Sequence, residues 1–296
     1  MSVNVRFSSI MATAWYIMET AQQHYQLSER LIRAVSDCRL NAHDTVLELI
    51  NKGADVNQAH GTLLPLHCAC MVSDNEMVQL LLRKGAKVDS VDGYHRTALH
   101  YAAEKDPECL ELLLLHKANP DSLDANKNTP LHWASFKNKS ECVRLLLRYG
   151  AYVDALDYND DTPLLWAAHK CNYESISILL EYGADVHTIN AGLQTSISRA
   201  ACLLASGLEP RDELSLNLLI QAAGQFDLRM DGQLPSLVER DREMCNRMLA
   251  YCRNCRSLQQ LCRYSIRKCL QGKHLPKVIA KLPIPVIMQR FLLLQT

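Results

Sequence analysis

The chain has 296 residues, about the length of two ordinary domains. Its 32 Lys and Arg residues balance 32 Asp and Glu residues, which argues against a global basic field for nucleic acid, though not against a local basic patch. The chain is 48% hydrophobic and 22% charged, the composition of a folded protein, and its 12 cysteines fall short of the ~8–10% that marks a disulfide scaffold.

The N-terminal segment, residues 1–27, contains no stretch that predicts a membrane span. Its longest uncharged run, Phe7 to Met18, has 12 residues, whereas a helix that crosses a bilayer needs about 20. The triplet Ala12-Thr13-Ala14 resembles a signal-peptide cleavage site, but the apolar stretch before it is weak and interrupted by serines. We therefore expect a cytoplasmic protein with reduced thiols and no membrane partner.

A repeat of 32 or 33 residues organises the middle of the chain, residues 28–250. One signature is a phrase of the type Thr-Pro-Leu-His, and the other is a Gly-Ala pair after a leucine-rich run. The first phrase occurs at Leu64–His67, Thr97–His100, Thr129–His132, Thr162–Leu165 and Thr195–Ser198. The second occurs at Gly53-Ala54, Gly85-Ala86, Lys117-Ala118, Gly150-Ala151 and Gly183-Ala184. Such regular spacing predicts stacked structural repeats.

The residues of one repeat predict a pair of helices. Threonine before proline suits a helix start, because the hydroxyl accepts a hydrogen bond from an unpaired amide and proline is tolerated at the first helical position. The leucine-rich run predicts the apolar stripe of a second helix, and glycine at its end predicts a left-handed cap. One such unit cannot bury its apolar face alone, so neighbouring units must stack.

These phrases resemble the ankyrin repeat, and Gly53–Asn57 matches its Gly-Ala-Asp-Val-Asn phrase letter for letter. The resemblance implies a mainly α solenoid of about six helix-turn-helix units joined by β-hairpin turns, with the first and last units degenerate. Lys117 replaces the glycine that ends a second helix, so that cap should be strained or rearranged. His95, Lys127 and Asp160 occupy the usual turn-glycine position, which calls the hairpin geometry there into question.

The tail after residue 254 has a different pattern. Leu258, Cys262 and Ile266 lie four residues apart on one helical face, with Leu261 beside them, and the phrase Leu282-Pro283-Ile284-Pro285 follows. This pattern resembles the SOCS box and implies a three-helix module over residues 254–296. By that resemblance, Leu258, Leu261, Cys262 and Ile266 would contact elongin C. The phrase formed by Leu282, Pro283, Ile284 and Pro285 would contact cullin-5.

Ankyrin repeats followed by a SOCS box resemble the ankyrin-repeat and SOCS-box family, the substrate receptors of cullin-RING ubiquitin ligases. The resemblance implies that the repeats bind a target protein while the tail recruits elongin B/C, cullin-5 and a RING protein. It implies no catalytic residue and no cofactor in this chain, because the target lysine reacts through proximity to a ubiquitin thioester. The sequence also contains no Gly-x-Ser-x-Gly, His-Glu-x-x-His or phosphate-binding Gly-Lys-Ser/Thr phrase.

Two alternatives stay open on the residues alone. The tail could be a helical cap for the last repeat, which would make the chain a protein-binding scaffold without ligase recruitment. Cys252 and Cys255 could hold a metal ion in an enzyme or sensor. However, Cys255, Cys262 and Cys269 lie seven residues apart, about 10 Å per step on a helix, which is too far for one zinc ion with bonds of about 2.3 Å. Packing thiols are therefore the favoured interpretation.

The target-binding surface is predicted from the solenoid, because hairpin tips and the ends of the first helices line its concave face. The candidate residues are Tyr94, Arg96, Lys105, Asn126, Phe136, Lys137, Tyr158, His169 and Lys170. Lys105, Lys137 and Lys170 would align as a cationic ladder beside aromatic residues, a combination that suits protein recognition. The hypothesis is an acidic or phosphorylated protein segment as ligand, and the alternative is a merely solvated lysine edge.

Two recurring sets of residues are assigned to structure. Histidines occur once per repeat and stack about 10 Å apart, too far for joint metal chelation, which favours structural hydrogen bonds. They are His67, His100 and His132. Aromatic residues that share one repeat position are predicted to pack as inter-repeat core. They are Tyr101, Trp133 and Trp166.

Overall fold

The computed structural model describes residues 18–20, 22–23, 25–36, 42–205, 210–223, 236–240, 242–253, 258–270 and 274–294. Every regular element among these residues is a helix. Strand-like pairing within them is limited to two isolated bridges, His60 with Leu63 and Val91 with Thr97. The mainly α fold class is therefore confirmed, with hairpins too short to form strands. In the part of the chain so described, no helix has the length and apolar character needed to cross a membrane.

The helices follow one another at the spacing that the repeats predict. In chain order they are α1 (Ala42–Asn51), α2 (Pro65–Val72), α3 (Asn75–Arg83), α4 (Ala98–Lys105), α5 (Pro107–Leu115), α6 (Pro130–Phe136), α7 (Ser140–Arg148), α8 (Pro163–Ala168), α9 (Tyr173–Glu181), α10 (Ser196–Ala205), α11 (Pro210–Ala223), α12 (Ser236–Arg240), α13 (Arg242–Arg253), α14 (Leu258–Cys269), α15 (Leu275–Ile279) and α16 (Val286–Leu292). Helical backbone also covers residues 25–36.

The chain divides into two compact units. One comprises residues 1–102 and 108–119, and the other comprises residues 103–107 and 120–296. The second unit contains the later repeats together with the last three helices, so the contacts between these repeats and the tail lie within one unit. The domain limits 1–27, 28–250 and 254–296 stay predictions.

Threonine and proline begin the first helix of a repeat as the sequence predicts. At α8, Thr162 Oγ1 accepts a hydrogen bond from the Leu165 amide at 3.2 Å, and Pro163 lies in the first turn. At α6, Thr129 and His132 cap each other, since the Thr129 amide donates to His132 Nδ1 at 3.1 Å. The leucine stripes behind these caps are buried, so each cap helps to direct an apolar face into the core.

Residues other than glycine adopt the left-handed conformation where the repeat lacks its glycine. Lys117 has a φ of +65°, and His95, Lys127 and Asp160 have φ between +57° and +59°. The Lys117 amide donates to the carbonyl three residues earlier at 2.9 Å, as Gly85 does at 3.1 Å. The cap and the turns therefore keep the geometry of the repeat. The expected strain at Lys117 stands, and the alternative of a rearranged cap is wrong.

Replacing Lys117 by Gly is expected to stabilise the protein by about 0.5–1 kcal/mol. A residue with a Cβ loses roughly 1–2 kcal/mol in the left-handed conformation, and the added flexibility of glycine in the unfolded chain offsets about half of that. The reciprocal control is Gly150→Ala at φ +93°, where a Cβ would meet no atom within 4 Å, so only backbone conformation changes. Urea unfolding measures both. A loss of stability in Lys117→Gly would contradict the argument.

The last three helices enclose a small core of their own. Leu275, Ile279 and Leu292 are at most 2% exposed. The half-buried side chains that pack against them are Leu270, Leu282, Ile284 and Leu293. The three-helix box is thus present, but a core of this size gives little stability without further contacts.

Candidate functional site

The first helix of the box, α14, exposes an apolar face. Leu261 is 37% exposed and Ile266 is 38% exposed, and Cys262 is exposed with them. The helix begins at Leu258, whose side chain lies outside the described residues. Leu261, Cys262 and Ile266, the described residues of the expected elongin-binding ridge, are therefore not buried in the chain's own core.

A groove of about 490 Å³ runs beside this face and joins it to the last helix. Its apolar lining includes Cys262, Ile266, Ile284, Ile287, Met288 and Phe291. Ile287 is 76% exposed and Met288 is 47% exposed. Side chains from α14 and α16 therefore form one continuous apolar surface, of the kind that marks a protein interface.

The four residues expected to contact cullin-5 divide into two pairs. Pro283 and Pro285 are exposed, and Pro285 precedes the first turn of α16. Leu282 and Ile284 are half-buried and pack against the core of the box. The prolines are therefore accessible to a partner, while the aliphatic side chains also hold the box together.

Sequence reasoning missed two buried arginines on the other face of α14. Arg267 is 8% exposed and donates to Leu292 O at 2.8 Å and to Leu180 O at 2.7 Å. Arg263, also 8% exposed, donates to Gln221 O at 2.8 Å. Burial, with a smaller contribution from the neighbouring Arg263 charge, lowers the pKa of Arg267 to about 10. The guanidinium is therefore still protonated at neutral pH.

These arginines attach the box to the repeats. Leu180 lies in the last turn of α9, where the carbonyl ends of the helix favour a cation. The repeat carbonyls that accept from Arg267 and Arg263 lie 87 and 42 residues away along the chain. A hydrogen bond to a distant backbone carbonyl does not depend on the type of the accepting residue, so it cannot be predicted from sequence. The one available signal was the spacing of two arginines four residues apart, opposite the apolar ridge.

A buried aspartate organises three of the turns between repeats. Asp124 Oδ1 accepts from the Asn126 amide at 2.8 Å and from the Asn128 amide at 2.9 Å. Its other oxygen accepts from an aromatic donor nine residues further on, a bond that recurs in three repeats. The pairs are Asp92 with Tyr101, Asp124 with Trp133 and Asp157 with Trp166. Burial alone would raise the pKa of Asp124, but its hydrogen bonds lower it below the usual value.

Some of the candidate target-binding residues meet at the turns. The Tyr158 amide donates to Asn126 O at 3.2 Å, and Lys127 Nζ lies 4.7 Å from the centre of the Tyr158 ring. Tyr94 is 63% exposed and shares a turn with the half-buried Arg96 in the first compact unit. The tips therefore present aromatic, amide and cationic groups.

The expected cationic ladder is partly assembled around Phe136. Lys137 Nζ and Lys170 Nζ lie 5.9 Å and 5.1 Å from the centre of its ring. Lys137 Nζ is also 3.7 Å from Glu104 Oε2, which partly neutralises it, and Lys105 is exposed at the end of α4. The structure thus replaces a row of three equivalent lysines by an aromatic ring between two cations.

A pocket of about 450 Å³ opens beside this ring. Its lining residues are Trp133, Phe136, Asp157, Asn159, Asp161, Trp166, His169 and Arg199. Trp133 and Trp166 are half-buried, so the expectation that they serve as inter-repeat core is incomplete, because one side of each faces this pocket. Their indole nitrogens donate hydrogen bonds to the turn aspartates, which fixes the orientation of the rings beside the pocket.

The recurring histidines have the structural role expected of them. His132 is buried; its Nδ1 accepts from the Thr129 amide, and its Nε2 lies 3.0 Å from Asp161 O. These bonds require a neutral ring with the proton on Nε2, and burial lowers the pKa of His132 in keeping with this. No group of three His, Cys, Asp or Glu side chains in the described ranges is arranged to hold a metal ion. Cys255 and the side chain of Cys252 lie outside those ranges.

Comparisons with known proteins agree with this architecture. Residues 31–124 and 104–190 match the family described as ankyrin repeats (three copies), and residues 254–293 match the SOCS box. Ankyrin repeat and SOCS box protein 8 of Mus musculus is 64% identical over 284 residues, which cover 96% of this chain and 99% of that protein. The protein of the same name from Homo sapiens is 63% identical with the same coverage.

The relatives settle the resemblance seen in the motifs. A closer likeness to the member numbered eight, indicated by the phrases Trp15–Met18, Ser28–Arg33 and His67–Asp74, is confirmed. Identity of this degree over nearly the whole of both chains includes the repeats and the box in the same order. This chain belongs to the family of ankyrin repeat and SOCS box proteins.

Proposed function

We propose that the chain is the substrate-recognition subunit of an elongin B/C–cullin-5–RING ubiquitin ligase. The observation that carries the proposal is the exposed apolar face of α14 at Leu261, Cys262 and Ile266, continuous with the groove beside α16. A soluble partner that covers this face gains hydrophobic stabilisation. Its location in a SOCS box favours elongin C as that partner.

The chain supplies no covalent chemistry in this role. The repeats hold a target while the box recruits the ligase core, so a target lysine lies near a ubiquitin thioester and their effective concentration rises. The proposed place of action is the cytoplasm, and the proposed target carries an acidic or phosphorylated segment that meets Lys137 and Lys170.

Changing both exposed prolines, Pro283→Asp with Pro285→Asp, is expected to weaken capture of cullin-5 at least about tenfold while capture of elongin B/C persists. The prolines face solvent, and aspartate suits the position before α16 that Pro285 occupies, so the box should still fold. Pull-down of the purified full-length chain with elongin B/C, then with cullin-5 and its RING partner, measures both interactions.

The matched control for this experiment is Tyr149→Asp with Tyr152→Asp, which adds the same charge at exposed positions of the repeats. Proximity labelling in cells should recover more target on the proline variant than on the wild type, because capture survives while turnover fails. Equal cullin-5 capture by the proline variant and the control would remove the cullin assignment.

A protein-binding scaffold without ligase recruitment is the second candidate. The contacts of Arg263 and Arg267 with backbone carbonyls of α11 and α9 favour it, because they make the box a cap on the repeats. Co-expression with elongin B/C separates the two candidates. A full-length chain that stays soluble and monomeric in the presence of elongin B/C, without binding it, would favour the scaffold.

A further inference from the structure

The pocket beside Phe136 has aromatic walls. The ring centres of Phe136 and Trp166 are 5.5 Å apart, as are those of Trp133 and Trp166, and the rings are inclined at 71° and 78°. Edge-to-face packing of this kind holds the rings in place and leaves apolar surface toward the cavity. With a volume of about 450 Å³, the pocket has room for one large side chain.

The carboxylates at this pocket have partners inside the repeats. Asp157 accepts from the Asp161 amide at 2.9 Å and from Trp166 Nε1 at 3.1 Å. Asp161 pairs with Arg199 at 2.9 Å and accepts from Asn190 Nδ2 at 2.7 Å. Arg199 balances the charge of Asp161, and the remaining charge of Asp157 is stabilised by hydrogen bonds from within the repeats. The lining of the pocket therefore disfavours a bare anion inside it.

The rim carries a net positive charge. Lys137 and Lys170 lie beside Phe136, and Glu104, 3.7 Å from Lys137, balances only one of the two lysines. Burial, and then the charges of Arg199 and Lys170, lower the pKa of His169 at the same rim. The net positive charge of Lys137, Lys170 and Glu104 favours an anion outside the pocket.

We infer that this pocket receives an aromatic or large aliphatic side chain from an extended acidic segment of the target protein. The aromatic walls bury that side chain, and acidic residues on either side of it meet Lys137 and Lys170 at the rim. The inference rests on the proposed target-binding role of the repeats. It narrows the target class to segments in which one bulky apolar residue lies between acidic ones.

The probe is a fluorescein-labelled peptide with one phenylalanine flanked by glutamates and serines. The measurement is its anisotropy with the full-length chain, in the presence and in the absence of elongin B/C. Replacing the phenylalanine by alanine is expected to weaken binding at least about tenfold. Replacing the glutamates by glutamines should also weaken it and abolish its salt dependence. A version with phosphoserines in place of the glutamates shows which anion the rim prefers.

The protein variant is Asn159→Trp, which places an indole at the mouth of the pocket. Asn159 is exposed, and its link to Asp157 is made by its backbone amide, so the turn should persist. Binding of the probe should fall at least about tenfold, whereas Tyr149→Trp, an exposed position outside the pocket, should bind as the wild type does. Equal melting temperatures of the two variants show that the fold is intact.

Three outcomes would overturn the inference. They are tighter binding of a lysine-flanked peptide, equal binding of the alanine peptide, and full binding by Asn159→Trp. Capture of elongin B/C is measured in the same samples and does not involve the pocket. Retained elongin capture without peptide binding therefore refutes the pocket alone, and peptide binding without elongin capture refutes the ligase role alone.

Discussion

Ile266→Asp is expected to abolish capture of elongin B/C, with a loss of affinity of at least about 100-fold. Burying an unpaired carboxylate in an apolar interface costs several kcal/mol, which exceeds the ~2.7 kcal/mol that this loss represents. The side chain of Ile266 is 38% exposed in the chain alone, so the change should have much less effect on the fold. Titration of the full-length variant against purified elongin B/C measures the affinity.

The matched control for Ile266→Asp is Lys268→Gln on the same helix. It changes the net charge by the same amount at an exposed position off the apolar ridge, and it should leave the affinity within about twofold of the wild type. If Ile266→Asp bound elongin B/C as well as Lys268→Gln does, the exposed face of α14 would not be the docking surface.

Arg267→Met is expected to lower the free energy of unfolding by about 2–4 kcal/mol. Methionine fills the space of the aliphatic stem but leaves Leu292 O without its donor, which costs ~1–3 kcal/mol. It also removes from Leu180 O a hydrogen bond to a charged group, worth ~1.5–3 kcal/mol, while the Gly183 amide still donates to that carbonyl. Against this, the variant escapes the desolvation that lowers the pKa of Arg267 to about 10. The lost hydrogen bonds outweigh the relieved desolvation, because the two carbonyls stay buried in the variant. The variant is therefore expected to be less stable.

Urea unfolding of the full-length chain measures the effect of Arg267→Met, and Arg290→Met is the control. Arg290 lies exposed on α16, so its loss should change stability by less than about 0.5 kcal/mol. Limited proteolysis adds a second readout, since a detached box should be cleaved ahead of the repeats. Equal unfolding midpoints for the two variants would show that Arg267 does not hold the box to α9.

The architecture was accessible from sequence because the signals are local and repeated. A helix start such as Thr162-Pro163 needs only neighbouring residues, and its recurrence every 32 or 33 residues removed ambiguity. Lys117 shows the limit of the same reasoning. The sequence shows that a lysine stands where the left-handed conformation is costly. It does not show that the hydrogen bonds of the Lys117 and Ala118 amides in the cap outweigh that cost.

The functional residues could be predicted from sequence only where they form a recognisable motif. The ridge on α14 could be read from Leu258, Cys262 and Ile266, because a four-residue spacing places side chains on one face. The aromatic pocket could not, since Trp166 looks like core until its bond to Asp157 fixes which way the ring turns. Arg267 was invisible for a similar reason, because both of its acceptors are backbone atoms of distant leucines.

The aspartate shared by three of the turns leaves the side chains at the tips of these turns free to vary. Asp92, Asp124 and Asp157 hold the turn through the backbone amides of Tyr94, Asn126 and Asn159. Any residue except proline can donate that hydrogen bond, so folding of the turn does not depend on the side chains at the three tips. These side chains can therefore be substituted one repeat at a time while the turn stays folded. A new specificity for the proposed target can arise in this way, by selection or by design, through folded intermediates only.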